Sequence, residues 1–250
     1  MTLRLVVSAL LFVVALTAGA LQDYQQALAD MKAGSFESAL DGFENALRAA
    51  PDSIRYGSEY RQAVIHAEAY DRCLAFFEEL STAHPDAANV FLNYGLAYVD
   101  KIPSAGSISQ LLLANNAIGH FSKSIEVKTT WLGLYTRGRS HLFWPKVFNR
   151  AQLGVADLEQ AYEMQQAGAG RRRLHVRVFE ALGDGYAKTD DFEKARAIWK
   201  EGLQEFPGRE GLQERLALDD EAVTAYIFDL MDPNKRVDTD LSPMWTDEAE

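Results

Sequence analysis

The apolar and small residues between Phe179 and Pro207 recur with the period of two consecutive α-helices. One face of the first helix carries Phe179, Leu182, Gly183 and Tyr186. One face of the second helix carries Phe192, Ala195, Trp199 and Gly202, before Pro207 ends it. Asp190, followed three positions later by Glu193, predicts a capping box at the start of the second helix. Because small residues let two helices approach closely while aromatic rings fill the space beside them, the segment predicts a helical hairpin.

The same spacing occurs at other places in the chain. The second helix of the hairpin is repeated by Phe36, Ala39, Phe43, Ala46 and Pro51, and again by Tyr70, Cys73, Phe77, Leu80 and Pro85. The two prolines are 85 − 51 = 34 positions apart. The first helix of the hairpin is repeated by Phe91, Tyr94, Gly95 and Tyr98. A repeat of this length predicts a chain of stacked helical pairs.

This spacing resembles the tetratricopeptide repeat (TPR), whose signature is W-x2-L-G-x2-Y, then A-x3-F, then P, over 34 residues. The resemblance covers residues 21–207, and the last repeat fills every position of the signature. It implies an all-α fold, a right-handed TPR-like helical solenoid of about five helix-turn-helix repeats. Because a solenoid must cover its last apolar face, residues 208–231 are expected to form C-terminal capping helices.

The middle repeats depart from the regular length. The third repeat contains about ten extra residues, KIPSAGSISQ from Lys101 to Gln110, whose composition predicts a loop. The fourth needs about four extra residues around Leu142–Arg150. Residues 232–250 form an acidic tail with two prolines and no helical period. This tail is either extended or a strap on the last repeats held by Leu241, Met244 and Trp245.

The first twenty residues predict a signal peptide. Arg4 precedes an apolar run from Leu5 to Leu16, and Ala18-Gly19-Ala20 has the form of a cleavage site before Leu21. The run is shorter than the roughly 20 residues that span a bilayer, which favours a cleaved signal over an uncleaved anchor. We therefore expect a periplasmic or secreted protein that is not inserted in the membrane after cleavage.

The charge of the chain restricts its partners. The formal net charge is −11 and the isoelectric point about 5.0, which argues against nucleic acid and anionic membrane surfaces. From Asp219 to Glu250 there are ten acidic residues against Lys235 and Arg236, a net charge of −8. The acidity therefore belongs mainly to the C-terminal segment.

Residues of the kind that perform catalysis are scattered. The five histidines form no HExxH motif and no cluster with cysteine, which does not indicate a metal site. The only cysteine, Cys73, occupies a position that requires a small residue, which favours burial over reactivity. The glycines near Gly168 and Gly183 are not preceded by a predicted strand and are weak indications of phosphate binding. We expect no enzyme activity, no cofactor and no metal.

The TPR resemblance implies that the first helix of each repeat lines a concave groove that takes a peptide or a partner's helix. At such positions this chain has Tyr24, Gln62, Leu92, Leu96, Tyr135, Arg139 and Arg177. The clamp of lysines, asparagines and an arginine with which some members hold a C-terminal carboxylate is not present. The leucines also fit simple packing between helices, whereas tyrosine and arginine are the usual anchors of interfaces.

A second candidate surface is the apolar segment His141–Arg150. Pro145 must break the helix near Phe143 or Trp144, so part of this apolar bulk leaves the regular groove. We expect Phe148 in the core and leave Trp144 open between core and partner-binding site.

Two functions fit these features. The first is a non-catalytic exported TPR scaffold or adaptor that binds a partner protein or peptide through its concave groove. The alternative is an envelope component that binds a small organic acid near Arg139 and is accessory to a transport system.

Overall fold

The structure is a computed structural model of the whole chain, and it describes residues 19–168 and 172–246. Helices account for most of these two ranges, and no β-strand occurs within them. The prediction of an all-α fold is confirmed. The predicted signal peptide falls mostly on residues 1–18, which lie outside the described residues. Gly19 and Ala20 are the first described residues of helix α1 (19–32).

The described chain divides into two compact units. Unit 1 contains α1 and four further helices together with the short segment Thr239–Ser242. These helices are α2 (Phe36–Ala49), α3 (Ile54–Ala67), α4 (Tyr70–Ala83) and α5 (Ala88–Lys101).

Unit 2 begins at Ile102, extends to Asp238 and resumes at Pro243. Its longer helices are α6 (Ser107–Val127), α7 (Trp131–Leu142), α8 (Ala151–Ala167), α9 (Val176–Lys188) and α10 (Phe192–Glu205). Its shorter helices are α11 (Glu210–Ala217), α12 (Asp220–Leu230) and α13 (Pro243–Thr246). Along the chain, α1 to α10 occupy the places of the five predicted repeats, and α11 and α12 occupy the place of the predicted capping helices.

The signature positions of the repeats form the core, as their spacing predicts. In unit 1 the side chains of Ala39, Phe43 and Ala46 on α2 are completely buried. Cys73 and Phe77 occupy the matching positions on α4 and belong to the same apolar cluster. The thiol of Cys73 is therefore a core group, and burial raises its pKa well above the ordinary value.

In unit 2 small residues mark the closest approaches of helices. A Cβ atom at Gly183 on α9 would lie 2.0 Å from Nε1 of Trp199 on α10, and Trp199 is completely buried. A Cβ atom at Gly154 on α8 would lie 2.6 Å from the carbonyl oxygen of Gly138 on α7. Both contacts are well inside van der Waals distance, so neither position accepts a larger residue without movement.

Side-chain caps set several helix starts. Asp191 accepts a hydrogen bond from the backbone N–H of Lys194 and caps α10, whereas the prediction placed this cap at Asp190. Asp190 instead has a left-handed backbone (φ 66°), and its carboxylate contacts Lys146 Nζ at 2.8 Å. The prediction was wrong by one residue because adjacent aspartates are equally able to cap a helix.

Two other local expectations are also corrected. The predicted loop Lys101–Gln110 is shorter than expected, because a 3-10 turn at Ile102–Ser104 is followed after only two residues by α6, which begins at Ser107. Phe148, expected in the core, lies in a 3-10 turn with 48% of its surface exposed.

Among the described residues, no helix combines the length and the apolar character required to cross a bilayer.

Candidate functional site

The candidate groove residues of unit 1 are mostly buried. Tyr24 is 4% exposed and stacks on Tyr56, with ring centroids 4.4 Å apart. Leu92 and Leu96 on α5 are 1% and 5% exposed. Gln62 on α3 is half-buried. Tyr24, Leu92 and Leu96 are therefore packed inside unit 1 in this structure, and their role in binding a partner stays a prediction.

The polar centre of unit 1 lies one residue away from Gln62. Arg61 is completely buried on α3, and its guanidinium donates to Asn93 Oδ1 at 3.1 Å and to Asp100 Oδ2 at 2.8 Å on α5. Its third nitrogen, Nη2, donates to the carbonyl oxygen of Thr239 at 3.1 Å. A buried guanidinium requires partners for its donors, and here the C-terminal segment supplies one of them.

Sequence reasoning missed this network. Its members are separated by 32 to 178 positions, so no local period connects them. The one signal in the sequence was the position of Arg61 and Asp100, each on a helix face whose other residues are small or apolar.

The candidate residues of unit 2 converge on one cavity. Tyr135 and Arg139 on α7 and Arg177 on α9 all line a cavity of about 270 Å³. The rest of the wall comes from the end of α7, from α9, from α11 and the residue before it, from α12 and from the residues that follow α12. Tyr135 is buried and stacks nearly parallel on Trp131, with ring centroids 5.2 Å apart, so it forms a rigid part of this wall. A cavity of this size holds one side chain or one small molecule.

Most charges of the cavity wall are paired within it. Arg177 Nη2 lies 2.8 Å from Asp238 Oδ2, and Arg209 Nε lies 2.8 Å from Glu180 Oε1. Arg215 holds Asp184 through two parallel hydrogen bonds, at 2.6 and 2.8 Å. Burial raises the pKa of Asp184 from its ordinary value, and the guanidinium of Arg215 opposes that shift.

Arg139 differs from the other arginines of the wall. Within the part of the chain that the structure describes, its guanidinium makes no hydrogen bond or ion pair, and it lies 5.7 Å from the ring centroid of Phe143. With four arginines and three carboxylates among the lining residues, the wall has a formal excess of one positive charge. The cavity therefore presents a half-buried cation beside aromatic rings, an arrangement suited to a carboxylate.

Lys188 lies close to the same wall. Its Nζ donates to the carbonyl oxygen of Leu142, a lining residue, and lies 3.7 Å from the sulfur of Met231. Burial lowers the pKa of Lys188 to about 8, and the nearby charge of Lys146 adds to the shift.

The segment around Trp144 does not form a protruding apolar patch centred on that residue. Trp144 is 7% exposed, with the guanidinium carbon of Arg150 only 3.8 Å from its ring centroid. Phe148 packs edge-on against it and is half exposed, while Val147 is 85% exposed. Trp144 is therefore packed against its neighbours here, and its role in binding a partner stays a prediction. Within the described ranges, no group of three or more histidine, cysteine or acidic side chains is placed to hold a metal ion.

Comparison with known proteins identifies the fold. No protein-family model matches the chain, and no curated protein matches it by sequence. Among solved structures, the chain is similar to TTC0263, a thermophilic TPR protein of Thermus thermophilus, with a TM-score of 0.57 and 16% identity over 82% of this chain and 99% of that one.

Two other solved structures have comparable similarity. PilW, described as a widely conserved type IV pilus biogenesis factor, matches with a TM-score of 0.54 and 15% identity over 91% of this chain and 98% of its own. YrrB, described as a TPR protein with an unusual peptide-binding site, matches with a TM-score of 0.52 and 14% identity over 80% of this chain and 92% of its own. The repeat signature and these structural matches together show that the chain has the tetratricopeptide-repeat fold.

Proposed function

We propose that the protein is a non-catalytic interaction scaffold that binds an acidic residue of a partner protein in the cavity of unit 2. The observation that carries this proposal is Arg139, a half-buried arginine without an ion-pair partner among the described residues, in a wall of excess positive charge. An arginine in such a place gains most from a carboxylate, because a charge-assisted hydrogen bond is stronger where water is partly excluded. Repeats of this fold in solved structures support the class of function, a protein-interaction scaffold.

The ring of Tyr135, which lines the cavity, favours an apolar group next to that carboxylate. Because Trp131 stacks on this ring and holds it in place, the contact has a small entropic cost. The expected ligand is thus an aspartate or glutamate flanked by an aliphatic residue. The cavity volume also fits a free organic acid, which is the second candidate.

The test compares charge variants of one residue with defined probes. Binding of an amidated peptide Leu-Asp-Leu, and of its asparagine analogue, is measured by calorimetry for the wild type, Arg139→Gln and Arg139→Lys. We expect Arg139→Gln to weaken binding of the aspartate peptide about 30-fold, corresponding to about 2 kcal/mol, and Arg139→Lys to retain part of it.

Arg173→Gln is the matched control, since Arg173 is exposed and does not line the cavity. Equal binding by Arg139→Gln and the wild type would contradict the proposal. Binding of succinate that depends on Arg139, without binding of any peptide, would instead establish the organic-acid function.

We further propose that the protein acts outside the cytoplasm after removal of residues 1–20. Arg4, the short apolar run and Ala18-Gly19-Ala20 support this proposal. The intact mass of the exported protein should correspond to a chain that starts at Leu21. A membrane-bound species that retains Met1–Ala20 would contradict it.

A further inference from the structure

The first half of α6 is apolar on the face that points away from the core. Ala117, Ile118 and Phe121 form its inner face and are buried. Ile108 and Leu112, one helical turn apart on the outer face, are 81% and 64% exposed. A surface helix normally carries polar and charged side chains on its outer face, so an apolar outer face indicates a further contact in this part of α6.

Charged residues are absent from the same part of the sequence. No aspartate, glutamate, lysine or arginine occurs from Ile102 to Ser122, although these residues make up 24% of the chain. The exposed polar side chains of this half of α6 are hydroxyls and amides, such as Asn115 and Asn116. The outer face of α6 is therefore electrically neutral on a chain with a net charge of −11.

The exposed apolar surface continues from α6 to the start of α8. Arg150 donates a hydrogen bond to Asn115 Oδ1 at 3.2 Å and lies against the ring of Trp144. Phe148 packs edge-on against the same ring, and Leu153 follows Arg150 by one turn of α8. Of the ten large apolar side chains that are exposed in the described ranges, six lie on this surface, which we call the α6 face: Ile108, Leu111, Leu112, Val147, Phe148 and Leu153.

From these observations we propose that the α6 face is the contact between two copies of this chain in a two-fold symmetric dimer. A two-fold contact places the same surface on both sides, so that surface must be complementary to itself. Apolar side chains and amides meet this condition, because an amide both donates and accepts hydrogen bonds. A charged surface does not, since two copies of an acidic chain bring like charges together there.

The area of the α6 face is sufficient for a weak dimer. Complete burial of one large apolar side chain removes about 60–120 Å² of apolar surface from water. The six side chains are 43% to 85% exposed, so together they offer about 200–450 Å² on each copy. Because about 60% of an interface is apolar, the whole contact is about 800–1,500 Å², at the lower end of specific interfaces. We therefore expect a dissociation constant in the micromolar range.

The dimer leaves the cavity of unit 2 accessible. None of the six side chains of the α6 face is among the residues that line the cavity at Arg139. A dimer then carries two such cavities, and a partner with two acidic segments gains from binding both of them. The proposal itself does not depend on the function proposed for the cavity.

The test follows the association of the full chain by sedimentation velocity from about 1 to 100 μM. The monomer mass is 27.9 kDa, so the dimer has a mass of 2 × 27.9 = 55.8 kDa. Leu112→Glu places a charge on the α6 face without changing the core and should weaken the dimer at least about 30-fold. Met164→Glu is the matched control, because Met164 is exposed on α8 outside this face, and it should alter association less than about threefold.

Opposite charges test the two-fold symmetry. Leu112→Lys alone should weaken the dimer as Leu112→Glu does, whereas an equimolar mixture of the two variants should associate at least about tenfold more tightly than either alone. Leu153→Glu changes the other half of the face and should also weaken the dimer. It replaces Leu112→Glu if that variant loses helical circular dichroism.

The outcomes that would overturn the proposal are distinct. A wild-type protein that stays monomeric over the whole concentration range would do so, as would equal weakening by Leu112→Glu and Met164→Glu. All variants keep the same N-terminus, so a dimer formed through the apolar run after Arg4 would be insensitive to both changes and would also contradict it. A gain on mixing that is absent would exclude the two-fold contact. Binding of phosphatidylcholine vesicles that depends on Leu112, without a dimer, would assign the α6 face to a membrane surface instead.

Discussion

The contact between Gly183 and Trp199 provides a sharp test of how α9 and α10 pack. In Gly183→Ala the new methyl group would lie 2.0 Å from Nε1 and 2.4 Å from Cδ1 of Trp199. Ordinary carbon contacts are near 3.5 Å, so the ring or the helix must move by about 1.5 Å. Because Trp199 is completely buried, it has no free space to move into.

The magnitude follows from three contributions. Overpacking a core position costs about 1–3 kcal/mol. A displaced ring also weakens the hydrogen bond from Trp199 Nε1 to the carbonyl oxygen of Glu180, at 3.4 Å, which contributes up to about 1 kcal/mol. Alanine in place of glycine within a helix returns about 1 kcal/mol. We expect a net loss of about 2 kcal/mol in the free energy of unfolding, or about 4–8 °C in melting temperature.

Gly119→Ala is the matched control for this experiment. Gly119 lies within α6, and a Cβ atom there would meet nothing within 4 Å. This variant gains helix propensity without a clash, so it should be stabilised by about 0.5–1 kcal/mol. Urea unfolding followed by circular dichroism at 222 nm measures both variants. If Gly183→Ala were as stable as Gly119→Ala, the packing of α9 on α10 would differ from that described.

Two other predictions concern buried ionisable groups. Burial lowers the pKa of His141 from 6.5 to about 4, so the unfolded chain takes up a proton on this residue first as the pH falls. The stability that His141 contributes is present above pH 6.5 and should decrease by about 1–2 kcal/mol at pH 5, after allowance for solvent screening. His141→Asn should flatten the dependence of the urea midpoint on pH between 7.5 and 5, and an unchanged slope would contradict this account. Asp184→Asn leaves Arg215 as a buried cation without its carboxylate and should cost about 3–5 kcal/mol, whereas the double change Asp184→Leu with Arg215→Met should recover most of the loss. Equal stability of the single and double variants in urea unfolding would rule out that reasoning.

The parts of the fold that follow a local period could be predicted from the sequence. The spacing of Phe179, Gly183 and Trp199 depends only on the helical repeat and on the size of each side chain, and both are readable from the chain itself. The place of the N-cap was missed by one residue because Asp190 and Asp191 have the same chemistry. The start of α6 was missed because serine and glycine are common in loops but also tolerated in a first helical turn.

The polar contacts over long sequence distances could not be predicted. Arg61 and Thr239 are 178 positions apart, and no periodicity relates an arginine within a helix to a threonine in an irregular segment. The cavity in unit 2 could be predicted in part, since Tyr135, Arg139 and Arg177 were selected as residues of the first helix of a repeat. The burial of four other candidates could not be predicted, because the exposure of a side chain depends on which elements cover its helix face. These candidates are Tyr24, Leu92, Leu96 and Trp144.

The helix crossings of unit 2 also explain how such a chain diverges. At Gly138, Gly154, Gly183 and Gly202 the neighbouring helix leaves no room for a Cβ atom, so each position constrains side-chain size. Most other positions require only an apolar side chain in the core or a polar side chain at the surface, and many different residues satisfy either requirement. Sequence identity with other chains of this fold can then fall to between 14% and 16% while the path of the backbone persists. In a saturation mutagenesis of unit 2, we expect lower tolerance at these four glycines than at its large buried side chains.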